Sequence, residues 1–351
     1  MTLARVTRFF IAAALVAVLP LASGATGAPS EEGFQSYLQL LAARARGEGV
    51  SEAAIRQVTQ GLTYNPKVVA LDHGQPGNAT GSGGSWNGGF DFAPYRRAHV
   101  DAVRIQNGRA MAREVARYAP AIEARYGVPA QILLSIWGNE TSYGRVMGDF
   151  DLARSVATLA YDGRRRELFA AEFIALMKMV DAGVPRGRLT GSWAGALGNP
   201  QFLPSTWLRL AQDGDGDGLR DLWGSRADTL ASIANFFRDA GWRPGQPWGV
   251  AAIVPAGFDR ARLVSPLNAP SCPRVFARHS RWQTVREWRA LGVEPRGAIG
   301  DAVLATLVEP DGPGKTAFLL TGNYRVILHY NCSNYYALSV GLLADEISRS
   351  P

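Results

Sequence analysis

The chain has 351 residues, 47% of them apolar and 19% charged, which is enough to bury a sizeable core and excludes a disordered polymer. Its formal net charge of +7 favours acidic partners: nucleic acid, anionic membrane or an anionic polymer. The densest cationic run, Arg164-Arg165-Arg166, sits in nothing that resembles a nucleic-acid-binding motif, so nucleic acid is not expected as a partner.

The first element is an export signal. Arg5 and Arg8 precede the apolar run from Phe9 to Leu21, and small residues offer cleavage after Ala25 or Ala28. This layout predicts a secretory signal peptide over about residues 1–25. The run is short for a membrane span, no second run follows, and no cysteine follows Leu21-Ala22-Ser23-Gly24 for lipid attachment. An exported, periplasmic, soluble protein with no membrane anchor, working as a monomer, is expected.

A helix follows from Glu31, with Phe34, Leu38, Leu41 and Ala45 on one face, and Ser51 is placed to cap a second that carries Ile55 and Val58. Residues 74–89 are rich in Gly, Ser and Asn and read as a flexible loop. A long helical pattern runs over 96–125 and ends at Tyr126-Gly127, after which Pro129 opens another helix. Further helical patterns cover 165–180 and 229–240. Towards the end, 302–307, 317–320 and 324–329 alternate with turn signals and predict a small antiparallel sheet, closed by a helix over 335–347. The expectation is an α+β fold, mainly α, with a helical region over 31–248 and a C-terminal region over 249–351 that contributes to the cleft. Two cysteines, Cys272 and Cys332, in an exported chain suggest one disulfide, with two buried thiols as the alternative.

The segment with chemistry in it runs from Tyr126 to Gly144. Ile132, Ile136 and Glu140 fall at i, i+4 and i+8, which sets a carboxyl group on the apolar face of its helix. Apolar surroundings raise a carboxyl pKa, and a neutral acid near pH 7 is what protonation of a sugar leaving group requires. Periodicity alone fits a structural Glu at a helix end equally well.

The blocks around Glu140 resemble the lytic murein transglycosylase B family of lysozyme-like enzymes. They are Tyr126-Gly-Val-Pro129, Glu140-Thr-Ser-Tyr-Gly144, Gly144-Arg-Val-Met-Gly148, Leu159-Ala-Tyr161, Gly191-Ser-Trp-Ala-Gly-Ala196, Gln201-Phe-Leu-Pro-Ser205 and Leu328-His-Tyr-Asn331. The resemblance implies a lysozyme-like helical core acting on peptidoglycan glycan strands. Glu140 would be the single acid/base, assisted by the substrate's N-acetyl group and leaving 1,6-anhydro ends, with no cofactor for catalysis. It also implies that Ser192, Gln201 and Asn331 contact substrate, with Tyr161 and Tyr330 as candidate sugar-stacking aromatics. Phe236 stands where the family more often has Tyr. A hydrolytic muramidase and a catalytically silent, calcium-stabilised wall-binding protein are the alternatives. Protein partners cannot be read from the sequence.

One further motif lies outside this set. Asp213, Asp215 and Asp217, with Gly218 after them, match the start of an EF-hand calcium loop. The twelfth loop position is Gly224, so a remaining carboxylate must come from later. Asp228 is the candidate, because the family has a longer loop. A structural calcium is expected there.

Overall fold

The computed structural model describes residues 29–75, 91–265, 269 and 271–349. The expected signal peptide and nearly all of the 74–89 loop lie outside these residues.

Ser30 and Ser51 start the first two helices, their hydroxyls accepting from the N–H groups of Gly33 and Ala54. These are α1 (Glu31–Gly47) and α2 (Glu52–Thr59), followed by α3 (Pro66–His73). The stretch expected as one helix over 96–125 is instead three: α4 (Ala93–His99), α5 (Ala102–Glu114) and α6 (Ala119–Tyr126). Asp101 makes the first break, because its carboxylate accepts from the Arg104 N–H at 2.9 Å and begins a new helix. Pro120 opens α6 and has no N–H with which to continue the preceding ladder. Gly127, at φ +71°, ends α6, and Pro129 leads into α7 (Ala130–Thr141).

Strand β1 (Phe150–Asp151) pairs antiparallel with β2 (Thr190–Gly191), and α8 (Leu152–Asp162) and α9 (Arg166–Asp181) run between them. Then come α10 (Pro204–Leu210) and α11 (Arg226–Asp239). The C-terminal sheet contains β3 (Gly249–Ile253), β4 (Gln283–Thr284), β5 (Glu294–Pro295), β6 (Leu304–Val308) and β7 (Phe318–Leu320). Its order is β4-β6-β7-β3-β5 and every pairing is antiparallel. Short helices α12 (Pro273–Phe276) and α13 (Val285–Ala290) flank it.

Residues 324–329, expected as a strand, belong to helix α14 (Gly322–Tyr330). The Thr321 hydroxyl caps it, accepting from the Asn323 N–H, and Tyr324, Ile327 and Leu328 are buried at helical spacing. The aromatic and β-branched content of this run favours a strand, and burial of the helical face overrides it. The last helix is α15 (Asn334–Ser348).

Three cores result. The first joins α7 to α11, α14 and α15 through Ile132, Ile136, Trp137, Phe237, Ile327 and Val340. The second joins α1 to α8, α9 and α10 through Phe34, Val156, Phe173 and Trp207. The third packs Trp288 of α13 on one sheet face, against Leu307 and Leu319. Burying each large apolar side chain contributes roughly 1.5–3 kcal/mol. Phe236 and Tyr330 pack against both helical cores, so two aromatic rings fill the joint beneath the site.

Candidate active site

Glu140 occupies the last turn of α7, whose apolar face of Ile132 and Ile136 is buried. The Ser135 hydroxyl donates to the Val340 carbonyl at 2.6 Å and locks α7 onto α15. Burial raises the Glu140 carboxyl from 4.5 to about 7. A hydrogen bond from the Tyr336 hydroxyl, 2.5 Å from Oε1, opposes that rise by favouring the charged form. Tyr336 lies in the first turn of α15, where Ser333 accepts from its N–H. Its own hydroxyl is held well above the usual phenol range by burial and by the neighbouring Glu140 charge. Tyr95 on α4 also titrates high, first through burial and then through Glu140. Its ring stacks on His99 at 3.8 Å.

The backbone after Glu140 turns sharply. Ser142, Tyr143 and Gly144 have φ values of +51°, +61° and +86°, a left-handed run that two non-glycine residues adopt only under constraint. The constraint comes from Asn199 and Thr141. Trp137 Nε1 donates to Asn199 Oδ1 at 2.9 Å, and the Thr141 hydroxyl donates to the Asn199 carbonyl at 3.0 Å. The Gly144 N–H in turn donates to Thr141 Oγ1 at 3.1 Å. Gly138 makes room for the returning Tyr143 ring, which a Cβ there would approach to 2.6 Å.

The residues singled out by resemblance lie on other elements. Ser192 follows β2 and its Oγ accepts from the Ala196 N–H at 3.0 Å, a turn bond that leaves its O–H free to donate elsewhere. Gln201, at φ +51°, donates from Nε2 to the Met147 and Gly198 carbonyls at 3.1 and 2.9 Å. Both bonds fix the amide and leave its oxygen as an acceptor. Tyr330, at the end of α14, donates to the Pro200 carbonyl at 2.5 Å and meets Phe236 edge-on at 4.7 Å. The Gln201 loop and α14 are thereby tied together. Burial and Glu140 both push the Tyr330 phenol upward. Asn331 ends α14 and is exposed. Next to it Cys332 bonds to Cys272, with Cα atoms 5.8 Å apart.

Tyr161 is used differently. Its ring packs against Phe34, Tyr37 and Tyr64, and its hydroxyl accepts from the Ser30 N–H, contacts that fasten α8 to α1. Tyr336 and Tyr95 were not picked out from sequence. The pair Tyr335-Tyr336 opening the last helix was the available signal, but nothing local says which ring turns to Glu140.

In the acidic loop, Asp213, Asp215 and Asp217 each offer a carboxylate oxygen within 4.8 Å of the others. Asp213 accepts from the N–H groups of Gly216, Asp217 and Gly218 and is held below the usual carboxylate range by those bonds. Asp228 does not join them. Buried on α11, it accepts from Gly214 N–H at 2.8 Å and Asp221 N–H at 2.6 Å and braces both ends of the loop from beneath.

Residues 33–345 match the family described as the transglycosylase SLT domain. The chain is 30% identical over 275 residues to the membrane-bound lytic murein transglycosylase B of Escherichia coli (strain K12), covering 77% of this chain and 69% of that protein. It superposes on SltB3 from Pseudomonas aeruginosa in complex with NAG-NAM-pentapeptide with a TM-score of 0.79 and 36% identity, over 90% of this chain and 80% of that one. The Escherichia coli lytic transglycosylase Slt35, solved in complex with calcium, gives a TM-score of 0.69 at 25% identity, over 91% and 93% of the two chains.

Proposed function

We propose, from the premise that this chain belongs to the transglycosylase SLT domain family and is a peptidoglycan lytic transglycosylase, that Glu140 alone serves as acid and then base and that the products carry 1,6-anhydro-MurNAc ends. The observation that supports this most is the state of Glu140. Its carboxyl is raised to about 7 by burial, and its one side-chain hydrogen bond among the described residues comes from Tyr336 rather than from a second acid. An ordinary glycosidase needs a second carboxyl for the nucleophile or the base. Here the substrate's acetamido oxygen takes that part.

The neutral Glu140 donates its proton to the oxygen of the MurNAc–GlcNAc β-1,4 bond as that bond breaks. The acetamido oxygen forms a bond to the anomeric carbon and gives an oxazolinium ion. Glu140, now a carboxylate, takes the proton of the muramoyl 6-hydroxyl, whose oxygen closes on the anomeric carbon and releases the acetamido group. Tyr336 stabilises the carboxylate between the two proton transfers. Ser192, Gln201 and Asn331 orient the acetamido group and the sugar, and Tyr330 with Phe236 forms an aromatic floor. The Glu140→Gln protein tests this reading. It should bind glycan and turn over at a rate lower by orders of magnitude, and near-wild-type cleavage would refute it.

The acidic loop is suited to a structural calcium ion. Three converging carboxylates have no cationic partner among the described residues, and Leu219 adds a carbonyl at the next ligand position. The ion would stiffen the loop leading into α11 and takes no part in the chemistry. Export to the periplasm, directed by residues 1–25, fits a wall substrate. No described helix is long and apolar enough to cross a membrane.

A further inference from the structure

A groove of about 560 Å³ separates the C-terminal sheet from the last turns of α15, a size suited to a ligand of several residues. Its wall on α15 begins at Leu342, six residues beyond Tyr336 and so about 9 Å further along the helix axis. Four cations stand around it: Arg96 on α4, Arg296 after β5, Lys315 before β7, and Arg349 at the end of α15. The two carboxylates of the groove are already engaged. Glu346 pairs with Arg349 at 2.5 Å, and Asp345 accepts from the Trp248 indole N–H at 3.2 Å. Arg96, Arg296 and Lys315 are exposed and have no ion-pair partner among the described residues. Between them the lining includes strand residues with small side chains, Gly249, Ala251 and Ala317, beside the rings of Trp248 and Phe318.

We propose that this groove binds an extended peptide carrying several free carboxylates. On the reading of the chain as a peptidoglycan lytic transglycosylase, that peptide is a stem peptide of the wall. Three unanswered cations along one channel attract a multiply charged anion more strongly than a neutral glycan, and guanidinium groups hold carboxylates in a defined geometry. The reach is sufficient. Five extended residues span up to about 17 Å, and Arg96 directly follows Tyr95, which feels the charge of Glu140. On this proposal a peptide borne by a sugar near Glu140 runs along α15 into the groove.

The test compares two substrates: glycan strands bearing uncrosslinked pentapeptides, and the same strands stripped of peptide by an amidase. In the triple variant Arg96→Gln, Arg296→Gln, Lys315→Gln, KM for peptide-bearing strands should rise about tenfold with kcat nearly unchanged, while stripped strands are cleaved as by the wild type. An equal change on both substrates, or no change on either, overturns the proposal. Calorimetry on the Glu140→Gln protein gives an answer that needs no turnover. A disaccharide pentapeptide should bind more tightly than the bare disaccharide, and Arg296→Gln alone should narrow that difference. Equal binding of the two ligands by the parent overturns the groove assignment. Failure of the wild type to cleave either strand would instead overturn the enzymatic reading.

Discussion

The Tyr336 hydroxyl donates to Glu140 Oε1 at 2.5 Å across 196 residues of sequence. One partner closes α7 and the other opens α15, and the packing of these helices sets their approach. Burial favours the neutral acid and the bond from Tyr336 opposes it, leaving the group near 7, as the proposed acid and then base requires.

Tyr336→Phe should therefore do two things. It removes the group that lowers the Glu140 pKa, so the alkaline limb of the kcat/KM profile should move to higher pH. It also withdraws stabilisation from the carboxylate formed in the first step, so kcat should fall by about 10²-fold. A pH–rate profile of the variant checks both, and an alkaline limb that stays in place would contradict the coupling.

Glu140 should also cost stability at high pH. Its pKa is raised from 4.5 to about 7 on folding, so between those values the folded state holds the extra proton. Stability is then lost as pH rises through that window, by up to about 3 kcal/mol at pH 8. Glu140→Gln should melt at a higher temperature than the wild type at pH 8, and the gap should close near pH 4.5. Thermal melts across this range read the difference.

His279 acts in the opposite sense. Burial lowers it from 6.5 to about 4, and its Nε2 lies 2.8 Å from Asn334 Oδ1, two residues before Tyr336. A buried neutral histidine contributes stability that is present above pH 6.5 and lost as pH falls towards 4. His279→Gln should flatten the acid side of the stability curve, which acid titration followed by circular dichroism measures.

Asn199→Ala should damage both fold and rate. It leaves the buried Trp137 indole N–H without its acceptor and removes the donor to Thr229 Oγ1. A loss of about 1–3 kcal/mol is expected, together with a lower kcat, because the turn after Glu140 loses part of its support. Denaturant melts and steady-state kinetics on one preparation give both numbers.

The disulfide stands beside Asn331. Reducing Cys272–Cys332, which are 60 residues apart in sequence, should lower stability by about 2–4 kcal/mol and slow turnover by loosening the end of α14. Thiol titration of the unfolded, unreduced protein should find no free thiol.

The buried position of Glu140 was legible in the sequence because helical spacing with Ile132 and Ile136 is a local property, and the blocks around it carried the family resemblance. The partner of Glu140 was not, since Tyr336 reaches it only after α15 has packed on α7. The error at 324–329 has the same origin: Val326 and Ile327 favour a strand locally, while the first core buries the segment as a helix. The break at Asp101 could have been read, because an Asp three residues before Arg104 is an ordinary helix start. The second role of Asp228, bracing the acidic loop through backbone N–H groups, depends on how α11 turns beneath that loop.

In the proposed reaction one carboxyl group and the substrate's own hydroxyl complete the chemistry. Mass spectrometry of the muropeptides released from purified peptidoglycan tests it directly. Fragments ending in 1,6-anhydro-MurNAc, lighter by one water than the hydrolytic products, are expected. Fragments ending in reducing MurNAc, with water incorporated from solvent, would contradict it.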